Sequence, residues 1–337
     1  MESTRRLERF TLHRPRHARS DDLVTATPRV RNETRIGYLA VALVVVLWGI
    51  GPLFVRAVDA SVLTIAAARN WLAVPVALLI AWVAKSPVTW RTLRVALAGG
   101  LTFAIAQTLA FASFHETSLA NAALISAMSP LVIVIVAVPL FGERLTAKQI
   151  VLMLIAFTGV ATVIFGGENS GGASLTGDLL AFGGLFAMTA YLLLMKHARM
   201  TGEPAAAYVA GVFVVCALVV TPLDLIWGDS LAVLTGVDWL WIFCLAVLAG
   251  CLGHTLMSWA QKHVNVSVAS IMVLGTIVIT AGGAWIFFDQ SLNVVQILGG
   301  IVVLIALSGV LRLQLSDPYR PREVPVLVEL GESPLAD

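Results

Sequence analysis

Two ionisable side chains stand inside the long apolar runs of this sequence: Arg69 in the run 62–84 and His254 in the run 239–260. No Asp or Glu falls at mid-depth in any run. An ionisable group in that setting is expensive, and function is its default explanation. A guanidinium can pair with a carboxylate or phosphate of a bound molecule. It can equally snorkel to the outer surface or cap carbonyls of a neighbouring helix. The His254 imidazole can titrate near neutral pH and drive gating, or donate a hydrogen bond to a backbone carbonyl.

Other polar and aromatic residues share these runs. Asn70 and Gln107 are amides that can contact a small molecule or bond between helices, the latter worth only ~1 kcal/mol. Trp48 sits at mid-depth, whereas tryptophans with a purely interfacial role prefer membrane edges. Tyr191 and Trp259 raise the same choice as Trp48, cavity lining or helix packing. Pro130 removes a backbone donor and clashes one turn back, which should free a carbonyl near Ser126. Freed backbone groups at membrane depth must be satisfied by neighbours or line a water-filled cavity. Ser126 and Ser129 are the adjacent polar candidates. Nothing marks a metal site, and no cofactor or nucleic-acid partner is expected.

The elements that position these residues follow from composition. Of the 337 residues, 58% are hydrophobic and 12% charged, with a mean hydropathy of +0.90. A soluble domain carries roughly 25% charged residues. The apolar runs are continuous over ~20 residues, as spanning helices require, and lack the alternation of a barrel. The expected fold is an all-α polytopic membrane protein with ten spans at 37–57, 62–84, 95–114, 118–140, 147–165, 177–196, 205–224, 239–260, 264–287 and 292–312. Cys216, Cys244 and Cys251 lie in apolar runs without a CxxC pair, so they read as buried small hydrophobes.

Lys and Arg mark cytoplasmic loops. Nine arginines fall in residues 1–36, and of the 22 basic residues all but Arg56 and Arg69 lie on one side of the ten-span arrangement. Both termini are therefore expected in the cytoplasm. Residues 1–36 read as a disordered Arg-rich tail, or as a stretch ahead of a start codon lying further in. Residues 313–337 read as a second cytoplasmic tail.

The chain also repeats itself. "IGYLAVALVVVLWGIGPLFVRA" (36–57) lies over "TGDLLAFGGLFAMTAYLLLMKH" (176–197), and "SPLVIVIVAVPLFGERL" (129–145) lies over "TIVITAGGAWIFFDQSL" (276–292). Two halves of five helices follow, 37–165 and 177–312. Five is odd, so the second half enters the membrane from the opposite side. Inverted repeats are a signature of secondary transporters, with the substrate site near the midplane where the halves meet.

"VLWGIGPLFVR", "TSLANAALISAMSPLVIVIVAVPLFGERLTAKQIVLMLIAFTGVATVI" and "GHTLMSWAQKHVNVSVASI" resemble the drug/metabolite transporter superfamily, specifically its EamA-type members. The resemblance spans about residues 37–312. It implies export or exchange of small metabolites, such as amino acids, through a central cavity lined by the first four helices of each half. The fifth helices, 147–165 and 292–312, would pack outside, and a homodimer through them is a further expectation. The second repeat departs from the family pattern: Asp289–Gln290 stands where a Gly-Glu pair is common, and Ile277 lies over Pro130. The absence of a mid-membrane acid argues against cationic drugs. Residence in a bacterial inner (plasma) membrane is expected. The competing reading is a membrane-embedded enzyme using His254 and Ser258, which share a helix face at i, i+4. No GxSxG, HExxH or paired membrane aspartates support it.

Overall fold

The computed structural model describes residues 28–116, 125–141, 145–166, 174–288 and 294–316, which are helical with short connections. In chain order these are α1 Pro28–Arg56, α2 Val62–Val83, α3 Trp90–Glu116, α4 Ser129–Phe141, α5 Ala147–Gly166, α6 Leu175–Met200 and α7 Ala205–Trp227. There follow α8 Gly236–Cys244, a π-helical segment Leu245–Leu252, α9 Gly253–Ala260, α10 Val266–Val273, α11 Gly275–Phe288 and α12 Val294–Ser316. Among the described residues, eight helical stretches are long and apolar enough to cross a membrane, and Ala147–Thr162 is a shorter apolar helix. In lipid the helix is the form that satisfies every backbone polar group internally, so these runs fold as they do. The first helix begins at Pro28, ahead of the expected edge at 37. Residues 118–124 of the expected fourth span, Glu143–Arg144, Asp289–Gln290 and most of both tails lie outside the described residues.

Local signals set the helix ends. Ser61 and Ser174 accept hydrogen bonds from the backbone N–H groups of Thr64 and Gly177, as N-cap residues do. Thr235 and Asp238 form a reciprocal capping box at the start of α8. Gly202, at φ +93°, turns the chain out of α6, a backbone conformation that glycine adopts without penalty.

The packing pairs the two halves. In the second half the α8–π–α9 stretch covers the expected span 239–260, and α10 with α11 the expected span 264–287. α2 packs on α7, and α5 packs on α12. α3 packs on α6, while α1 packs on the π segment and α9. Small residues permit this. A Cβ on Gly100 would fall 2.4 Å from Cβ of Val215, and one on Gly49 2.6 Å from Cβ of Ile279.

Both stretches expected as fourth spans, 118–140 and 264–287, are interrupted within their described residues. A turn at 127–128 precedes α4, and a one-residue turn at Leu274 separates α10 from α11. The repeat alignment that lays Pro130 on Ile277 also lays Ala127 on Leu274, so the two interruptions coincide. A break at this position thus does not require a proline. Pro130 does not kink a continuous helix as expected; it is the second residue of α4, where its missing N–H removes no intrahelical bond. The Ser126 carbonyl accepts the Ser129 hydroxyl at 2.6 Å. Ser129→Ala leaves that carbonyl short of a donor and is expected to lower stability by about 1 kcal/mol. An unchanged melting temperature in detergent would sink this assignment.

Two basic residues read as loop markers prove to be buried. Lys196 is 1% exposed and donates to the carbonyls of Gln261 at 2.6 Å and Val264 at 2.8 Å. Arg199 Nε donates to the Ser258 carbonyl at 3.0 Å. These cations cap the C-terminal turn of α9, whose last carbonyls lack intrahelical partners and carry partial negative charge.

Candidate functional site

Arg69 is buried within α2, and it neither snorkels nor caps a helix end. Its Nη1 donates to Oε1 of Gln107 on α3. Its guanidinium carbon lies 5.6 Å from the ring centre of Phe103 and 5.8 Å from that of Phe213, at cation–π distance. The π segment forms another wall, with Gly250 beside Nη2. Among the described residues no carboxylate pairs with this guanidinium, and Arg69 Nε, Gln107 Nε2 and Asn70 Oδ1 have no hydrogen-bond partner. The Asn70 amide donates to Sγ of Cys216 at 3.2 Å.

His254 lies beside this group. Its Nδ1 and the Tyr191 hydroxyl are 3.0 Å apart, so its partner is a phenol and not the backbone carbonyl considered from sequence. The rings of Phe103, Trp48 and Tyr191 stand 4.8, 5.0 and 5.5 Å from its centre, and Phe213 stands at 5.9 Å. The Trp48 indole donates to the Ala249 carbonyl at 3.1 Å. That carbonyl belongs to the π segment, and π-bulges recur at functional sites. Tyr191→Phe removes the partner of a buried ring nitrogen and is expected to cost about 1–2 kcal/mol. Thermal unfolding checks this; a variant as stable as wild type refutes a structural role for the pair.

The fold therefore brings Trp48, Arg69, Asn70, Gln107, Tyr191 and His254 together from both halves, around an apolar wall that sequence reasoning missed. Phe103, Phe213 and Cys216 carried no signal, because each is an ordinary apolar residue in an apolar run. Trp259 does not join this cluster. It lies against His263, 4.8 Å between ring centres, and lines a separate groove of about 720 Å³ with Arg199, Leu39 and Leu43. Ser126, Ser129 and Pro130 also sit elsewhere: Ile125 and Ala127 pack against α6 and the α5–α12 pair respectively. The hydrolytic pair is not assembled, since Ser258 Oγ has no hydrogen-bond partner and His254 Nδ1 is held by Tyr191.

The profile of the EamA-like transporter family matches residues 35–165 and, again, 175–312. The chain belongs to the EamA-like transporter family. This EamA-like chain is an integral membrane protein of the drug/metabolite transporter type, and the family acts on small molecules as a transporter, not as an enzyme. Its fold is similar to that of a protein known by a crystal structure, at TM-score 0.71 and 17% identity, over 82% of this chain and 97% of the other. That likeness concerns the fold alone. No curated protein matches the sequence.

Proposed function

We propose that this EamA-like protein is a secondary transporter that exports or exchanges a small carboxylate-bearing metabolite, an amino acid or a related compound. It works by alternating access between two five-helix repeats, residues 37–165 and 177–312. The observation that carries this reading is Arg69: a buried guanidinium, flanked by phenylalanine rings, with a free Nε and no carboxylate partner among the described residues. A buried cation without a counter-charge is costly, and a substrate carboxylate would supply one bidentately. Trp48, Tyr191 and the phenylalanines would enclose the rest of the molecule. The test is counterflow in proteoliposomes with a panel of neutral, acidic and aromatic amino acids. We expect saturable exchange of at least one; absence of exchange for every carboxylate, with exchange of an organic cation, overturns the reading.

Ten spans in two inverted repeats belong to the same proposal. The pairing of α2 with α7 and α5 with α12, and the coincident breaks at Ala127 and Leu274, are what a two-fold relation between halves would produce. Inverted repeats place both termini on one side, the cytoplasmic side of a bacterial inner membrane. A cytoplasm-active reporter fused at residue 315 is expected to be active, and an inactive fusion refutes the orientation. A homodimer through the fifth helices would use their lipid-facing sides, around Leu154 and Leu304, since their glycine faces already meet within the chain.

A further inference from the structure

The cluster around Arg69 ends at His254, but the polar face that carries His254 does not. Ser258 and Gln261 follow at i+4 and i+7, which is one face of a helix. Both are completely buried. Ser258 Oγ and both ends of the Gln261 amide, Oε1 and Nε2, have no hydrogen-bond partner. Three orphaned polar atoms on one helix face are unusual, because buried polar groups are nearly always paired. In a membrane the penalty is not relieved by bulk water. Packing by itself favours apolar residues at both positions. The stripe ends at two buried cations: Lys196 Nζ on the Gln261 and Val264 carbonyls, and Arg199 Nε on the Ser258 carbonyl. The carboxylate of Glu203 lies within electrostatic reach of Arg199, and it also stands 3.3 Å from Arg91 Nε and 3.4 Å from the Thr92 hydroxyl.

We propose that the stripe His254–Ser258–Gln261 is the cytoplasmic half of the substrate path, and that Ser258, Gln261 and Lys196 form a second, inner binding site for the anionic group of the substrate. This rests on the reading of the Arg69 cluster as the substrate site. In this structure the Ser258 hydroxyl and the Gln261 amide are unpartnered. When the cytoplasmic side opens, water and the substrate carboxylate bond them. Lys196, Arg199 and Arg91 outnumber the Glu203 carboxylate around this mouth among the described residues, and a net positive field concentrates anions. The substrate passes between Arg69 and Lys196 along donors that neither cation occupies.

The test needs no known substrate. Ser258→Cys and Gln261→Cys are made singly in a protein whose three native cysteines are replaced by alanine. Each is exposed, in inside-out vesicles, to an anionic, a neutral or a cationic methanethiosulfonate. A lipid-facing control, Leu252→Cys, is treated alongside. We expect both positions to react from the cytoplasmic side at least about 10-fold faster than the control, with the anionic reagent outpacing the cationic one by a similar factor, the scale on which a charged cleft enriches ions. Lys196→Gln should remove the preference for the anion without slowing the neutral reagent. Should that variant not fold, the anionic-to-cationic ratio in Ser258→Cys itself decides the point. Rates no higher than the control at both positions overturn the path, and equal rates for the two charged reagents overturn the anion site. Labelling as expected alongside failed amino-acid counterflow would refute the substrate class and leave the path standing.

Discussion

Arg69→Met is expected to abolish exchange of the carboxylate substrate at concentrations that saturate less than half of the wild type. Methionine fills much of the same volume between Phe103 and Phe213 but offers neither charge nor donors. Truncating one partner of a buried charge pair costs about 2–5 kcal/mol, which is a loss of roughly 30- to 4000-fold in apparent affinity at about 1.4 kcal/mol per decade. Arg69→Lys should fall between. It retains the charge but has a point-like ammonium in place of a planar fork, and it cannot bond Gln107 and a carboxylate in the same geometry. The discriminating control is the substrate's neutral amide analogue. It should compete poorly in the wild type and no worse in Arg69→Met, because only the carboxylate is read by the guanidinium. Retained exchange in a well-folded Arg69→Met protein would return Arg69 to a structural role.

The second large effect concerns stability. A Cβ on Gly159 of α5 would lie 2.9 Å from the carbonyl oxygen of Gly299 and 3.0 Å from the backbone nitrogen of Val303, both on α12. Backbone atoms of a helix do not rotate aside as a side chain can. Lipid offers no hydrophobic drive for helix association, so close van der Waals contact between small residues is what holds such a pair. Gly159→Ala therefore separates α5 from α12 and is expected to destabilise by about 1–3 kcal/mol, the usual penalty of overpacking. Gly300→Ala, one residue beyond Gly299, meets its nearest neighbour at 3.7 Å and should be tolerated. Equal melting temperatures for the two variants in the same detergent would remove the contact from the stabilising set.

Sequence was most informative where one residue suffices. Arg69 and His254 could be singled out because an ionisable group in an apolar run is conspicuous whatever surrounds it. Gln107 was a candidate as an amide in an apolar run and Tyr191 as an aromatic weighed like Trp48, but nothing in the chain joined Gln107 to Arg69 or Tyr191 to His254. Those pairs lie 38 and 63 residues apart, and hydropathy has no term for which faces meet. The burial of Lys196 was hidden for a related reason. A lysine at the end of an apolar run looks the same whether it points to water or reaches a neighbouring helix end. Pro130 misled because a proline's effect depends on where the helix begins, and here the helix begins one residue ahead of it.

By itself, the sequence determined that this is a helical membrane protein with a repeated motif, which spans hold the ionisable residues, and which family pattern it follows. These are local properties, set by the cost of bare backbone and charge in lipid. Only the tertiary structure decided that Trp48, Arg69, Gln107, Tyr191 and His254 form one cluster, that Trp259 and Pro130 stand apart from it, and that the side chains of Ser258 and Gln261 are buried without hydrogen-bond partners. Those facts depend on helix rotation and crossing, which small-residue contacts such as Gly100 against Val215 fix at ångström range. No periodicity in the chain encodes them.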